Sequence, residues 1–146
     1  MAQGDIVVFD EAKAFMIDGG WEAADTIKLA LLTAAVTPTA GDTTPALGDY
    51  TQVTAGGNYT AGGETLDTLG NMVTEAGGTM TFDDTGATVQ WLQNAGNPTN
   101  ARWGLVYNDT DASDLAICYL DLGAAVDMTA GDLTITWNAS GIFTIT

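Results

Sequence analysis

The sequence predicts an all-β fold, a jelly-roll-like β-sandwich with one short N-terminal helix, and three observations carry that prediction. Short runs of alternating apolar and polar residues recur along the 146-residue chain, separated by turns rich in Gly, Asn and Asp. Fifteen of the nineteen acidic residues are Asp and four are Glu. Asp belongs to turns and caps, whereas Glu is the better helix former. The third observation is the closing stretch, Leu133 to Thr146, which reads as two β runs in a hairpin around Asn138-Ala139-Ser140-Gly141. Its Gly comes last, where a type I turn followed by a left-handed residue needs it. Leu133, Ile135 and Trp137 face one way and Thr134 and Thr136 the other, with Phe143 and Ile145 as the facing apolar pair.

Taken in order, Phe9 to Asp18 is the one helical stretch. Phe9, Ala12, Phe15 and Met16 recur at spacings of three and four, and Gly19-Gly20 supplies a stop. So short a helix needs a partner surface, either one end of a sheet in its own subunit or another chain, and Trp21 can anchor either arrangement. Asp25 to Thr33 sets Ile27, Leu29 and Leu31 against Thr26, Lys28 and Ala30, a strand with one face in the core. From Ala34 to Asp49, Pro38, Gly41, Pro45 and Gly48 interrupt any regular element, leaving a binding loop or a solvated crossover between sheets. Tyr50 to Val53, Glu64 to Leu69, Gly78 to Phe82, Thr88 to Leu92, Arg102 to Tyr107 and Leu115 to Leu120 are further short strands. No repeat, heptad or linker divides the chain. Residues 1–146 are therefore expected to form one β-sandwich domain, with 1–21 as a docking segment.

Composition narrows the partners. The chain is 46% hydrophobic with a net charge of −16. Disorder needs high charge together with low hydrophobicity, and only the first holds, so the chain is expected to fold. Lys13, Lys28 and Arg102 are the only basic residues. A phosphate backbone would find almost no counter-charge, an anionic membrane surface would repel the protein, and no run of about eighteen apolar residues spans a bilayer. Neither a nucleic-acid nor a membrane partner is expected. The opening MAQGDIVVFDEAKAF lacks the basic start and apolar core of a secretory signal. The single cysteine, Cys118, lies in the apolar run Leu115 to Leu120 and reads as a buried small hydrophobe, compatible with folding in a reducing cytoplasm.

The residues that carry most enzyme chemistry are missing. Without His there is no imidazole base, no Cys–His pair and none of the usual zinc sets. Asp83-Asp84, or Asp109 with Asp111, can be nominated as a glycosidase pair, but such spacing is what any acidic β protein carries in its turns. The protein is therefore expected to be no enzyme and to need no cofactor. Asn108 to Asp114 presents oxygens at alternate positions, which makes Asp109, Asp111 and Asp114 calcium candidates, yet it lacks the Gly and Glu of a calcium loop. The plainer reading is a solvated hairpin loop. A calcium-dependent carbohydrate-binding module using this loop and exposed Trp residues is the alternative from another functional class. Gly56-Gly57 and Gly62-Gly63 make turns or bulges around an anchored Tyr59, since no helix or Lys follows to complete a phosphate loop. Trp137 belongs to the core face of its strand. Arg102 and Trp103 are the best candidates for an interface anchor, because both types are enriched at binding hot spots, against the plainer reading of strand core with an exposed neighbour.

Four passages, DTIKLALLT (25–33), NYTAGGETL (58–66), ARWGLVYND (101–109) and LTITWNASGIFTIT (133–146), together resemble a family of small tailed-bacteriophage virion proteins. The resemblance implies a structural component of the phage particle, and some similar small β proteins act as cement on the capsid exterior. It implies a protein made in the host cytoplasm, placed on the outside of the capsid, bound to the major capsid protein and assembled as a dimer or trimer. Catalysis is not expected. Function would be the summed free energy of weak contacts repeated by symmetry. On this reading Ile6, Val7, Val8, Phe9, Phe15 and Trp21 form the capsid or subunit contact. A tail or baseplate component on the same fold is the nearest rival. The extreme acidity and the Pro/Thr-rich segment 34–49 depart from the commoner pattern.

Overall fold

The structure, a computed structural model, describes residues 1–18, 20–86 and 88–146. Among them are ten strands: β1 (Ile6–Val8), β2 (Thr26–Leu32), β3 (Glu64–Thr68), β4 (Val73–Ala76), β5 (Thr79–Phe82), β6 (Thr88–Trp91), β7 (Ala101–Asn108), β8 (Ala116–Val126), β9 (Leu133–Thr136) and β10 (Phe143–Ile145). Two helices, α1 (Asp10–Asp18) and α2 (Leu69–Met72), complete the regular structure. A five-stranded sheet runs β1-β8-β7-β2-β3, a three-stranded sheet β10-β5-β4, and β6 pairs with β9. The named pairings are antiparallel, and the whole is the expected all-β, sandwich-like arrangement.

The alternation of Ile27, Leu29 and Leu31 makes β2, but the strand is more deeply placed than one core face implies. Ala30 and Leu32, on its other face, are as fully buried as Leu29 and Leu31. β2 lies between β7 and β3, and β3 leaves it after Leu29. Beyond that point 51–53 take over the edge: Thr33 donates to the Thr51 carbonyl at 2.8 Å, and Val53 donates to that of Leu31 at 3.0 Å. Tyr50 to Val53 is thus not the strand its sequence suggests, and only Gln52 bridges to Leu32. Tyr59 is anchored as expected: it is buried and its hydroxyl accepts the Leu31 N–H at 3.0 Å.

The closing stretch corrects the hairpin expectation. The turn is as read, with Gly141 at φ +99° and donating to Asn138 at 2.9 Å. Its two strands nevertheless part. β9 pairs with β6, whereas Ile142 donates to the Phe82 carbonyl at 2.8 Å and β10 continues along β5. A partner across the domain satisfies the same backbone groups while letting Phe143 stack on Phe82, with centroids 4.8 Å apart. Trp137 is in the core as expected, donating to Asp84 at 3.2 Å, but Ile145 is 40% exposed and packs no core.

The other elements need less adjustment. α1 starts with Asp10 and Glu11, acids that suit a helix N-terminus, and ends at Asp18; Gly19 lies outside the described residues. Its buried residue is Ala12, so the helix lies on its own subunit. Segment 34–49 holds only a 3₁₀ turn at Leu47–Asp49, yet it is pinned at Ala40, Thr44 and Pro45. Asp10 donates to Ala40 at 2.9 Å, Thr44 to the Glu11 carboxylate at 2.6 Å, and Ala116 to Pro45 at 2.8 Å. Three elements went unanticipated: β1, α2 and β4.

Candidate functional site

The N-terminal contact residues have mixed fates. Ile6, Val7 and Val8 form β1, an edge strand paired with Leu120, Tyr119 and Cys118, and each is half-buried. Phe9 is fully buried, with its ring 5.2 Å from that of Tyr119 and 6.3 Å from that of Tyr50. It is a core residue and presents no surface to a partner, because the chain turns inward there to start α1. Phe15 is half-buried and stacks on Trp21 at 5.8 Å. Trp21 is itself largely buried, and its indole Nε1 has no hydrogen-bond partner among the described residues.

Arg102 and Trp103 are brought together, but inward. The Arg102 guanidinium lies 3.9 Å from the centroid of the Trp103 ring and pairs with Asp121, while Trp103 is buried. The β7–β8 register shifts between Ala101 and Trp103, so that β8 loops out through Gly123 and returns Asp121 to the guanidinium. Asp121 also accepts the Gly123 N–H at 2.5 Å. The Arg102 hydrogen bond is the main reason its carboxyl is held below the usual range, with desolvation opposing. This is an internal brace, and Trp103 is not an exposed anchor.

The 108–114 loop is organised around Asn108. Its side chain is buried, accepts the Thr110 and Asp111 N–H groups at 3.0 and 3.2 Å, and donates to Asp25 at 2.7 Å. Asp111 accepts the Ser113 N–H at 2.8 Å, and Lys28 holds Asp109 at 2.8 Å. The carboxyl of Asp114 is pushed up by desolvation and by Asp109 and Asp111. Among the described residues no three Asp, Glu or Cys side chains converge as a metal site requires. All four Trp side chains are buried, so the indole platform of a sugar-binding module is not on the surface. Cys118 is buried too, and burial pushes its thiol well above its ordinary range.

Comparison with protein-family models, curated proteins and solved structures finds no match.

Among the described residues three open clefts stand out, the smallest a polar one of about 210 Å³ beside β3 and β6. One, of about 410 Å³, runs between β1, β8 and β9 and is lined by Ile6, Leu120, Leu133, Ile135 and Trp137. Asp121 is its carboxylate, and Arg102 already holds it. The second, about 340 Å³, is an apolar groove lined by Met16, Trp21, Leu69, Val73 and Met80. Of these only Met16 and Trp21 belong to the expected docking segment. The rest come from α2, β4 and β5. Gly77-Gly78, both at positive φ, between the runs Val73–Ala76 and Thr79–Phe82 was the available hairpin signal.

The charges are as uneven as the composition implies. Lys13 pairs with Asp10 at 2.8 Å, Lys28 with Asp109, and Arg102 with Asp121. Each of the three cations is therefore matched by an Asp of the same chain, and the net charge of −16 lies on the remaining acids. What this surface can do is bind: it joins apolar patches to a strong negative field.

Proposed function

We propose that the protein is a non-enzymatic decoration, or cement, protein of a tailed bacteriophage. It binds the outer surface of the major capsid protein shell and stabilises it. The observation that carries this reading is the internal pairing of all three cations, which leaves an apolar groove in a negative surface. Such a surface suits a protein partner bearing positive charge and is repelled by packaged DNA. The four passages that resemble small virion proteins supply β2, the Tyr59 turn into β3, β7, and the β9 to β10 stretch. Weak single contacts suffice where symmetry repeats them, and a dimer or trimer would multiply them again.

Counting copies per particle tests the proposal. Quantitative mass spectrometry of purified virions is expected to find the chain in numbers comparable to the major capsid protein. A much smaller number would overturn the cement role and favour the tail or baseplate.

A further inference from the structure

The three-stranded sheet has two unlike faces. Residues directly opposite one another share a face, so Val73, Phe82 and Phe143 form one row and Glu75, Met80 and Ile145 the next row on that side. The other face is Thr74, Thr81, Thr144, Ala76 and Thr79. The Phe82 row is packed into the domain, and the apolar face then runs on past it to Met80, half-buried, and Ile145, exposed. Met80 and Val73 thereby line the 340 Å³ groove together with Met16 and Trp21. Ile17, next to Met16, is 85% exposed.

Acids outnumber cations beside this groove. Exposed Glu22 adjoins Trp21, and exposed Glu75 stands opposite Met80 in register on the same face of the sheet. Lys13, one turn before Met16 on α1, is paired with Asp10 at 2.8 Å. A second copy would set like charge against like charge, −16 on each side, whereas an apolar side chain carried between Lys or Arg residues would meet both features.

We propose that the groove between Trp21 and Met80 is the docking site for a basic partner segment, one large apolar side chain flanked by Lys or Arg. The inference deepens the capsid-docking reading and rests on it for the identity of the partner as a capsid subunit. The acids would steer and the groove would hold, so binding should weaken with salt and fail when either feature is removed.

The test uses the full chain and two synthetic peptides, acetyl-KKFLKK-amide and acetyl-EEFLEE-amide, followed through the methyl resonances of Met16 and Met80. Saturable shifts with the basic peptide only, weakened several-fold between about 0.05 and 0.5 M salt, are expected. Met80→Lys should weaken binding at least tenfold. So should the paired exposed substitutions Glu22→Lys and Glu75→Lys, which leave the apolar packing intact. No shift, equal binding of both peptides, or a concentration-dependent oligomer moving the same methyls would overturn the proposal, the last making a second copy the occupant. Co-sedimentation with undecorated capsids separates the two readings. If wild type and Met80→Lys bind capsids equally, the groove inference fails and capsid docking stands. If the basic peptide binds the groove and capsids do not bind the protein, the reverse holds.

Discussion

The Tyr59 hydroxyl accepts the backbone N–H of Leu31 at 3.0 Å and lies 3.4 Å from the carbonyl oxygen of the same residue. β3 has by then left the edge of β2, and where Val53 of the replacing segment serves the Leu31 carbonyl, a side chain serves the N–H. Removing the hydroxyl leaves a buried N–H without a partner, which costs about 1–3 kcal/mol. Tyr59→Phe is expected to lower the urea midpoint by an equivalent amount with an unchanged denaturant slope, and to speed hydrogen exchange at the Leu31 amide. A stability within about 0.5 kcal/mol of wild type would show that water replaces the phenol.

That contact also shows what could be read in advance. Tyr59 was recognisable as an anchor because glycines bracket it, and β2, β3, β5, β6 and β7 were recognisable because their alternation is local. Pairing partners were not. Asn138 to Gly141 makes the turn its residues demand, yet β9 and β10 find β6 and β5, because strand partnership depends on contacts spread over the whole chain. β1 escaped notice because Ile6-Val7-Val8 has no alternation, and β4 because Val73 is the single large apolar residue in its run. The groove was invisible for the same reason: Met16, Trp21, Leu69 and Met80 are distant in sequence and meet only in the fold.

Gly63 and Gly131 offer a paired test of close approach. A Cβ at Gly63 would lie 1.9 Å from the Leu29 carbonyl oxygen, and the residue sits at φ +76°. A Cβ at Gly131 would meet nothing within 4 Å. Gly63→Ala is expected to cost about 4 kcal/mol or more, read as loss of soluble protein or a collapsed melting transition, whereas Gly131→Ala should stay within about 0.5 kcal/mol. Equal melting temperatures would mean that the turn into β3 yields far more readily than its packing implies.

Cys118 lies near the start of β8, between Val8 of β1 and Val106 of β7. Its thiol is pushed up by burial, and attack on a disulfide reagent requires the thiolate. Native protein is expected to resist an aromatic disulfide reagent in mildly alkaline buffer and to react fully once unfolded in urea, so that labelling tracks unfolding. Stoichiometric labelling of the native protein within minutes would show that β8 opens locally.

Asp121 should set part of the acid limit of stability. Its carboxyl lies below its ordinary value of 3.8, chiefly through the Arg102 hydrogen bond, so the folded state favours the ionised form. A depressed carboxylate contributes stability above the unfolded value and loses it as pH falls through the folded one. Hydrogen bonds to charged groups contribute about 1.5–3 kcal/mol, so Asp121→Asn is expected to be about 2 kcal/mol less stable near neutral pH. The difference from wild type should shrink as pH falls from 3.8 through the lower folded value, because the unfolded state then takes up a proton that the native carboxylate resists. Asp42, Asp67 and Asp127 are also depressed and keep an acid limb in the variant. Asp114 is raised and works in the opposite sense, gaining stability as it protonates. Urea midpoints across the acid range measure the difference directly. A gap that stays constant as pH falls would mean that the Arg102 brace acts through shape and not through charge.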